Sequence, residues 1–128
     1  MRALVVDDST AVRDLLVEFL THLGLQVEHA ANGSDALSMA PALPGLSVVL
    51  LDWTMPDMDG LEVLRRLRAD SRLAGLPVLM LTAESELPRV EQALEAGASE
   101  YLMEPFDAQS VLEKLLLLGV DPEGRAAV

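Results

Sequence analysis

The sequence predicts an α/β domain: an open, doubly wound, five-stranded parallel sheet flanked by five helices. Three observations predict it. Short β-rich runs alternate with helix-period segments five times along the chain, and regular βα alternation builds a parallel sheet with helices on both faces. Two of the runs, LSVVLLD (Leu46–Asp52) and LPVLMLTA (Leu76–Ala83), are unbroken apolar stretches, as required of strands covered on both sides. The length of 128 residues suits one domain, and five βα units fall short of the eight that close a barrel.

Each element has its own warrant. ALVVDD (Ala3–Asp8) is a short strand ending in acids. Thr10–Gly24 carries Val12, Leu15, Leu16, Phe19, Leu20 and Leu23 at helical spacing. Thr10 is its expected N-cap and Gly24 its stop. Leu25–Ala30 alternates like a half-buried strand, Ala31-Asn32-Gly33 turns the chain, and Ser34–Ala40 is a short helix that Pro41 stops. Leu46–Asp52 is a strand, and Trp53–Gly60 is a loop. Leu61–Asp70 is a helix with Leu61, Leu64 and Leu67 inward and its arginines outward. After the strand Leu76–Ala83 comes a helix over Leu87–Gly97, with Leu87, Val90 and Leu94 on one side. Ser99–Met103 is the last strand, and Asp107–Gly119 is the last helix, capped by Asp107. The domain is expected to span 1–119, with 120–128 a C-terminal tail or the start of a linker. The flavodoxin-like strand order 2-1-3-4-5 is the common five-stranded solution, with right-handed crossovers. The runs ending at Asp52 and Thr82 belong inside the sheet.

Composition narrows the function. About half of the residues are apolar, which argues against disorder. With no cysteine there is neither a disulfide framework nor a thiolate metal site. No apolar run approaches the roughly 20 residues that span a membrane. The N-terminus passes from one Arg into a Val-rich strand, unlike a signal peptide. A cytoplasmic protein is therefore expected. A formal charge of −12 repels nucleic-acid phosphates, so direct DNA or RNA binding is not expected.

In open α/β sheets, ligands bind beyond the carboxyl ends of the strands. Those ends carry Asp7 and Asp8 (first strand), Asp52 (third), Thr82 (fourth) and Glu104 (fifth). Each has an ordinary structural explanation. Asp8 would cap the first helix, Asp52 would open the turn before Met55-Pro56, and Thr82 would cap the next helix. Their convergence on one rim is harder to explain that way, because clustered carboxylates must share a cation or take up protons. Oxygen ligands without nearby His or Cys suit Mg²⁺ or Mn²⁺ rather than Zn²⁺. There is no G-x-x-x-x-G-K-[ST] loop to cradle a nucleotide. A phosphoryl group here is then small or carried by the protein, and an aspartate carboxylate is a suitable covalent acceptor. A D-x-D nucleophile arrangement after the first strand would indicate a phosphatase, and VVDDST does not supply it.

The segments VVDDS, LLDWTMPDMDGLEVL, LTA and EPF together resemble a response-regulator receiver domain, most closely the single-domain chemotaxis type, from Ala3 to about Gly119. The resemblance implies that Asp52 accepts a phosphoryl group from a phosphohistidine on a histidine kinase or phosphotransfer protein, or from a small acyl phosphate. It implies that Asp7 and Asp8 hold Mg²⁺, with Asp52 and the backbone carbonyl of Thr54 completing the protein ligands. Thr82 is then the hydroxyl that turns toward the phosphoryl group, and Tyr101 the aromatic switch that follows it. The output face implied is the fourth helix, fifth strand and fifth helix, meeting a downstream protein or a second copy. A receiver is a regulatory phosphoacceptor rather than an enzyme, with at most self-catalysed phosphorylation and dephosphorylation. The resemblance further implies that the peptide bond Glu104–Pro105 is cis, an arrangement that proline makes accessible.

One residue departs from the pattern. The family carries Lys immediately before this proline, and the chain has Glu104. Lys114, the only lysine, lies in the final helix and is no obvious replacement. Glu104 is expected to swing into water, to protonate, or to face a bound cation. It also raises an alternative function: an atypical receiver with weak or no phosphorylation, acting as a protein-interaction module.

Overall fold

Strands without a polar face have to be covered on both sides, and they are. A computed structural model of the chain describes residues 1–122. It contains β1 (Arg2–Val6), β2 (Gln26–Ala30), β3 (Leu46–Asp52), β4 (Val78–Thr82) and β5 (Glu100–Met103) in one parallel sheet, ordered β2-β1-β3-β4-β5. The helices are α1 (Thr10–His22), α2 (Gly33–Met39), α3 (Gly60–Ala69), α4 (Val90–Glu95) and α5 (Ala108–Leu117), with 3₁₀ stretches at Ala40–Ala42 and Glu84–Arg89.

The pleat sends alternate side chains to opposite faces, and two apolar layers result. Leu4, Val6, Val49 and Leu51 pack with Trp53, Leu61, Leu64 and Ala93 on the α2–α3–α4 side. Ala3, Val5, Val48 and Leu50 pack with Leu16, Leu20, Val111 and Leu115 on the α1–α5 side. The sheet is therefore fixed from both sides, and its carboxyl edge becomes a rigid rim.

Several expectations need correction. The cap of α1 is Ser9, whose Oγ accepts from Val12 N–H at 3.3 Å; Thr10 is already the first helical residue. Pro41 does not end the second helix abruptly but sits in the 3₁₀ stretch that follows, because its missing N–H is tolerated in a first turn. The fourth helix opens as a 3₁₀ turn containing Pro88 before α4 begins. A 3₁₀ turn has three residues rather than 3.6, so counting from Leu87 sets the wrong phase. Ala93 is buried at 2% exposure, while Leu94 is 43% exposed. Leu15 in α1 is exposed in the same way. Leu76 precedes β4 in a turn, its N–H donating to the Leu73 carbonyl. Arg68 is half-buried rather than outward, and its guanidinium donates to the carbonyls of Gly97 and Leu73. Beyond Gly119 the chain stays packed: Val120 joins the α1–α5 layer and Asp121 is buried. Residues 123–128 of the expected tail lie outside the described residues. No described helix is long and apolar enough to cross a membrane.

Candidate functional site

Strand register brings the site together. Val6 pairs with Leu51, so Asp7 and Asp52 leave neighbouring strands at the same level. Asp52 pairs with Leu81 and Thr82 with Met103, which places Thr82 one step and Glu104 two steps further along the same rim. Glu104 N–H donates to the Thr82 carbonyl at 2.8 Å, pinning the end of β5 beside the site. The Glu104–Pro105 peptide is cis.

Three carboxylates converge here. One oxygen each of Asp7, Asp52 and Glu104 lies within 4.8 Å of the others. Asp7 is buried at 2% exposure, and its Oδ1 accepts from Ser9 N–H at 2.8 Å. Asp52 Oδ1 accepts from the N–H of Trp53 at 2.9 Å, which fixes the carboxylate plane. Behind it the loop folds back tightly. Gly60 N–H donates to the Trp53 carbonyl at 2.7 Å, and a Cβ on Gly60 would collide with the carbonyl oxygen of Asp52. Asp8 is exposed and is not one of the converging three.

The electrostatics follow. Burial, then the neighbouring Asp7 carboxylate, push the Asp52 carboxyl up to about 8; Asp8 and Glu104 act in the same direction, and the Trp53 N–H opposes them. Burial also raises Asp7, with Ser9 N–H opposing and Asp8 assisting. Glu104 is raised by burial, then by Asp7 and by Glu86. Of the three outcomes expected for Glu104, turning into water is not the one observed. Like charges about 5 Å apart repel by about 3 kcal/mol at an effective dielectric near 20. Such a cluster is stable only when partly protonated or joined by a cation.

Three contributors were not legible in the sequence. Arg13 donates from Nη1 to the Asp7 backbone carbonyl at 2.8 Å and is a cation that acts on the Asp7 carboxylate. Its offset of six residues follows no side-chain pairing rule. Glu86 ties two loops: its carboxylate accepts from Ala83 N–H at 2.8 Å and from Thr54 Oγ1 at 3.2 Å. The spacing Ala83 to Glu86 is that of a helix cap and its third residue, but Ala83 lacks the side-chain oxygen that marks such a cap in a sequence. Trp53, fully buried, carries the Arg89 guanidinium over its ring at 4.6 Å.

The remaining predicted residues are also placed. Thr82 is buried, and its Oγ1 donates to the Ala83 carbonyl at 3.2 Å. Thr54 is exposed on the loop after β3. Tyr101 is half-buried against the α2–α3–α4 layer. Lys114 Nζ sits 4.8 Å above the Tyr101 ring and 3.2 Å from Glu100 Oε1. The one lysine is thus engaged along β5 rather than at the carboxylates.

The response regulator receiver domain model matches residues 3–116. The chain belongs to the response regulator receiver domain family. This receiver is 37% identical over 123 residues to chemotaxis protein CheY1 of Helicobacter pylori, covering 94% of the chain and 99% of that protein. It is 37% identical over 119 residues to a chemotaxis protein CheY homolog of Campylobacter jejuni, covering 90% and 89%. Among solved structures, chemotaxis protein CheY4 of Vibrio cholerae superposes with a TM-score of 0.86 at 32% identity, covering 91% of this receiver and 97% of that chain. A CheY-like receiver domain protein of Methanospirillum hungatei superposes at 0.82 with 32% identity, covering 92% and 93%. The receiver is therefore a CheY-like component of two-component signalling, a regulatory domain rather than a conventional enzyme.

Receiver domains typically bind Mg²⁺, and the donor set here fits such an ion. It offers carboxylate oxygens only, without nitrogen or sulfur, as hard divalent cations require. Among the described residues, none of the ion pairs involves Asp7, Asp52 or Glu104.

Proposed function

We propose that this receiver accepts a phosphoryl group on Asp52 from a histidine kinase or phosphotransfer protein, with Mg²⁺ required, and signals by a change of shape to a protein partner. One observation carries this: Asp7, Asp52 and Glu104 meet within 4.8 Å at the sheet's carboxyl edge, one strand end from the buried hydroxyl of Thr82. Asp52 is the nucleophile. Its Oδ1 is tied to Trp53 N–H, which leaves Oδ2 to attack phosphorus. The bond from the donor imidazole nitrogen to phosphorus breaks, the nitrogen keeps the electron pair, and an acyl phosphate remains on Asp52. Asp7, Asp8, Asp52 and the backbone carbonyl of Thr54 would hold Mg²⁺, or Mn²⁺ in its place. The ion supplies positive charge that keeps Asp52 ionised and offsets the phosphoryl oxygens.

The phosphoryl group adds charge and acceptor oxygens. Thr82 would exchange its present acceptor, the Ala83 carbonyl, for one of them. The loop bearing Ala83 would follow, and Tyr101, one strand away, would change its packing. A two-state element of this kind is how a local charge becomes a readable surface. The surface is α4, β5 and α5, presented to a downstream protein or a second copy, in the cytoplasm.

A second reading has a specific observation behind it. Glu104 places a carboxylate where the resemblance calls for a lysine, which favours an interaction module with weak or no phosphorylation. The test is incubation with Mg²⁺ and a small acyl phosphate, followed by intact-mass measurement before and after alkali. An alkali-labile gain in the native chain supports the first reading. Gain only after Glu104→Lys supports the second, and steady hydrolysis of unrelated phosphate esters would contradict both.

A further inference from the structure

We infer that Glu104 is itself a ligand of the divalent cation, a further carboxylate converging with Asp7 and Asp52; this rests on the phosphoacceptor reading above. The backbone comes first. Glu104 N–H is bonded to the Thr82 carbonyl at 2.8 Å, so the residue cannot drift off the rim. Its half-exposed side chain has water on one side, yet turns to the two aspartates with a ligand oxygen within 4.8 Å of each. Among the described residues, no ion pair holds that orientation: Arg66, Arg72 and Arg89 pair with Glu62, Asp70 and Asp59, and Lys114 pairs with Glu100.

Asp7 is the independent pointer. It is 98% buried, taking 2% exposure as the remainder, and one backbone N–H, from Ser9, reaches its carboxylate. Arg13 lends it some positive charge without forming an ion pair, and the side chains it otherwise faces are the carboxylates of Asp52 and Glu104. A buried carboxylate needs its charge compensated. A divalent ion lying among the three does this at once, and repulsion becomes shared coordination.

Two consequences follow. Ligand charge count sets the affinity of an oxygen site for divalent cations, so the ion is held more tightly than by Asp7 and Asp52 alone. A phosphoryl group arriving on Asp52 then has to displace Glu104 from the ion. The residue thus acts as a brake on phosphorylation that is released by competition rather than by repulsion alone.

The test is Mn²⁺ titration of the native chain, Glu104→Gln and Glu104→Lys. It is read by calorimetry and by the fluorescence of Trp53, the only tryptophan, whose backbone N–H holds Asp52. Glu104→Gln is expected to weaken Mn²⁺ binding by at least about tenfold, and Glu104→Lys by at least as much, as loss of a charged ligand requires. In the native chain with carboxyl-labelled glutamate, Mn²⁺ should broaden the Glu104 signal more than that of Glu84 or Glu91. Affinity within about twofold of native for Glu104→Gln, below the effect of a lost charged ligand, overturns the inference, as does a Glu104 signal no broader than the others. If the native chain binds no Mn²⁺, the phosphoacceptor reading falls with it. If Asp7→Asn abolishes binding while Glu104→Gln leaves it unchanged, only the role of Glu104 falls.

Discussion

Asp52 sets the pH behaviour of the metal-free chain. Its carboxyl is pushed up to about 8, chiefly by burial and then by Asp7; Asp7 and Glu104 are raised as well. In the unfolded chain such groups titrate near about 4. Between those limits the folded chain holds protons that the unfolded chain has released, so stability falls as pH rises. Asp57, Asp70 and Asp107 are held low, the first by backbone N–H groups at α2, the second by Arg72, the third by the first turn of α5. Their contribution is lost in the opposite direction, as pH falls below about 4. Thermal melts of the metal-free chain should therefore decline from about pH 5 toward pH 8. Asp52→Asn should flatten the decline, and Mg²⁺ should remove it. A melting temperature that rises over this range would contradict the raised carboxyls. Lys114 offers a second check. Its contact with Tyr101 is worth about 0.5–1 kcal/mol, and its pair with Glu100 is partly exposed. Lys114→Met should thus cost under about 2 kcal/mol in urea denaturation and leave acyl phosphate formation intact. Loss of phosphorylation would mean that this lysine reaches the site after all.

The loop from β3 into α3 is the element that fixes the Asp52 carboxylate. Gly60 is required there because its backbone packs against the Asp52 carbonyl. Gly60→Ala should cost roughly 1–3 kcal/mol, as overpacking does, and should weaken Mg²⁺ binding through the displaced Asp52. At the other end of the chain, Asp107 caps α5 by accepting from Ser110 N–H at 2.8 Å. Asp107→Ala should cost about 1 kcal/mol without touching the site, which separates the two effects. Elements with a single strong period were readable in the sequence. Leu61, Leu64 and Leu67 lie inward on α3, and the continuous runs at β3 and β4 lie inside the sheet. The fourth helix was read out of phase, because the 3₁₀ turn from Glu84 to Arg89 breaks the 3.6-residue count. Ser9 lost the cap assignment to Thr10 by one residue, the scale on which helix ends are least defined.

At the scale of the molecule, a parallel sheet collects residues separated by almost the whole chain onto one edge. Asp7, Asp52, Thr82 and Glu104 were readable because each follows a strand, and strand ends in such sheets converge. Arg13 and Glu86 were not, because their roles depend on hydrogen bonds to the Asp7 carbonyl and to Ala83 and Thr54 that only the assembled rim creates. The orientation of Glu104 was also beyond the sequence: three outcomes were open until the fold placed its carboxylate among the aspartates. The central claim is that this rim is one cation-dependent phosphoacceptor centred on Asp52. Peptide-level mass mapping after exposure to a small acyl phosphate, with and without Mg²⁺, tests it most directly. The account predicts a phosphoryl group on the peptide carrying Asp52, present with Mg²⁺ and absent without it. A phosphoryl group on another residue, or none in the presence of Mg²⁺, would contradict it.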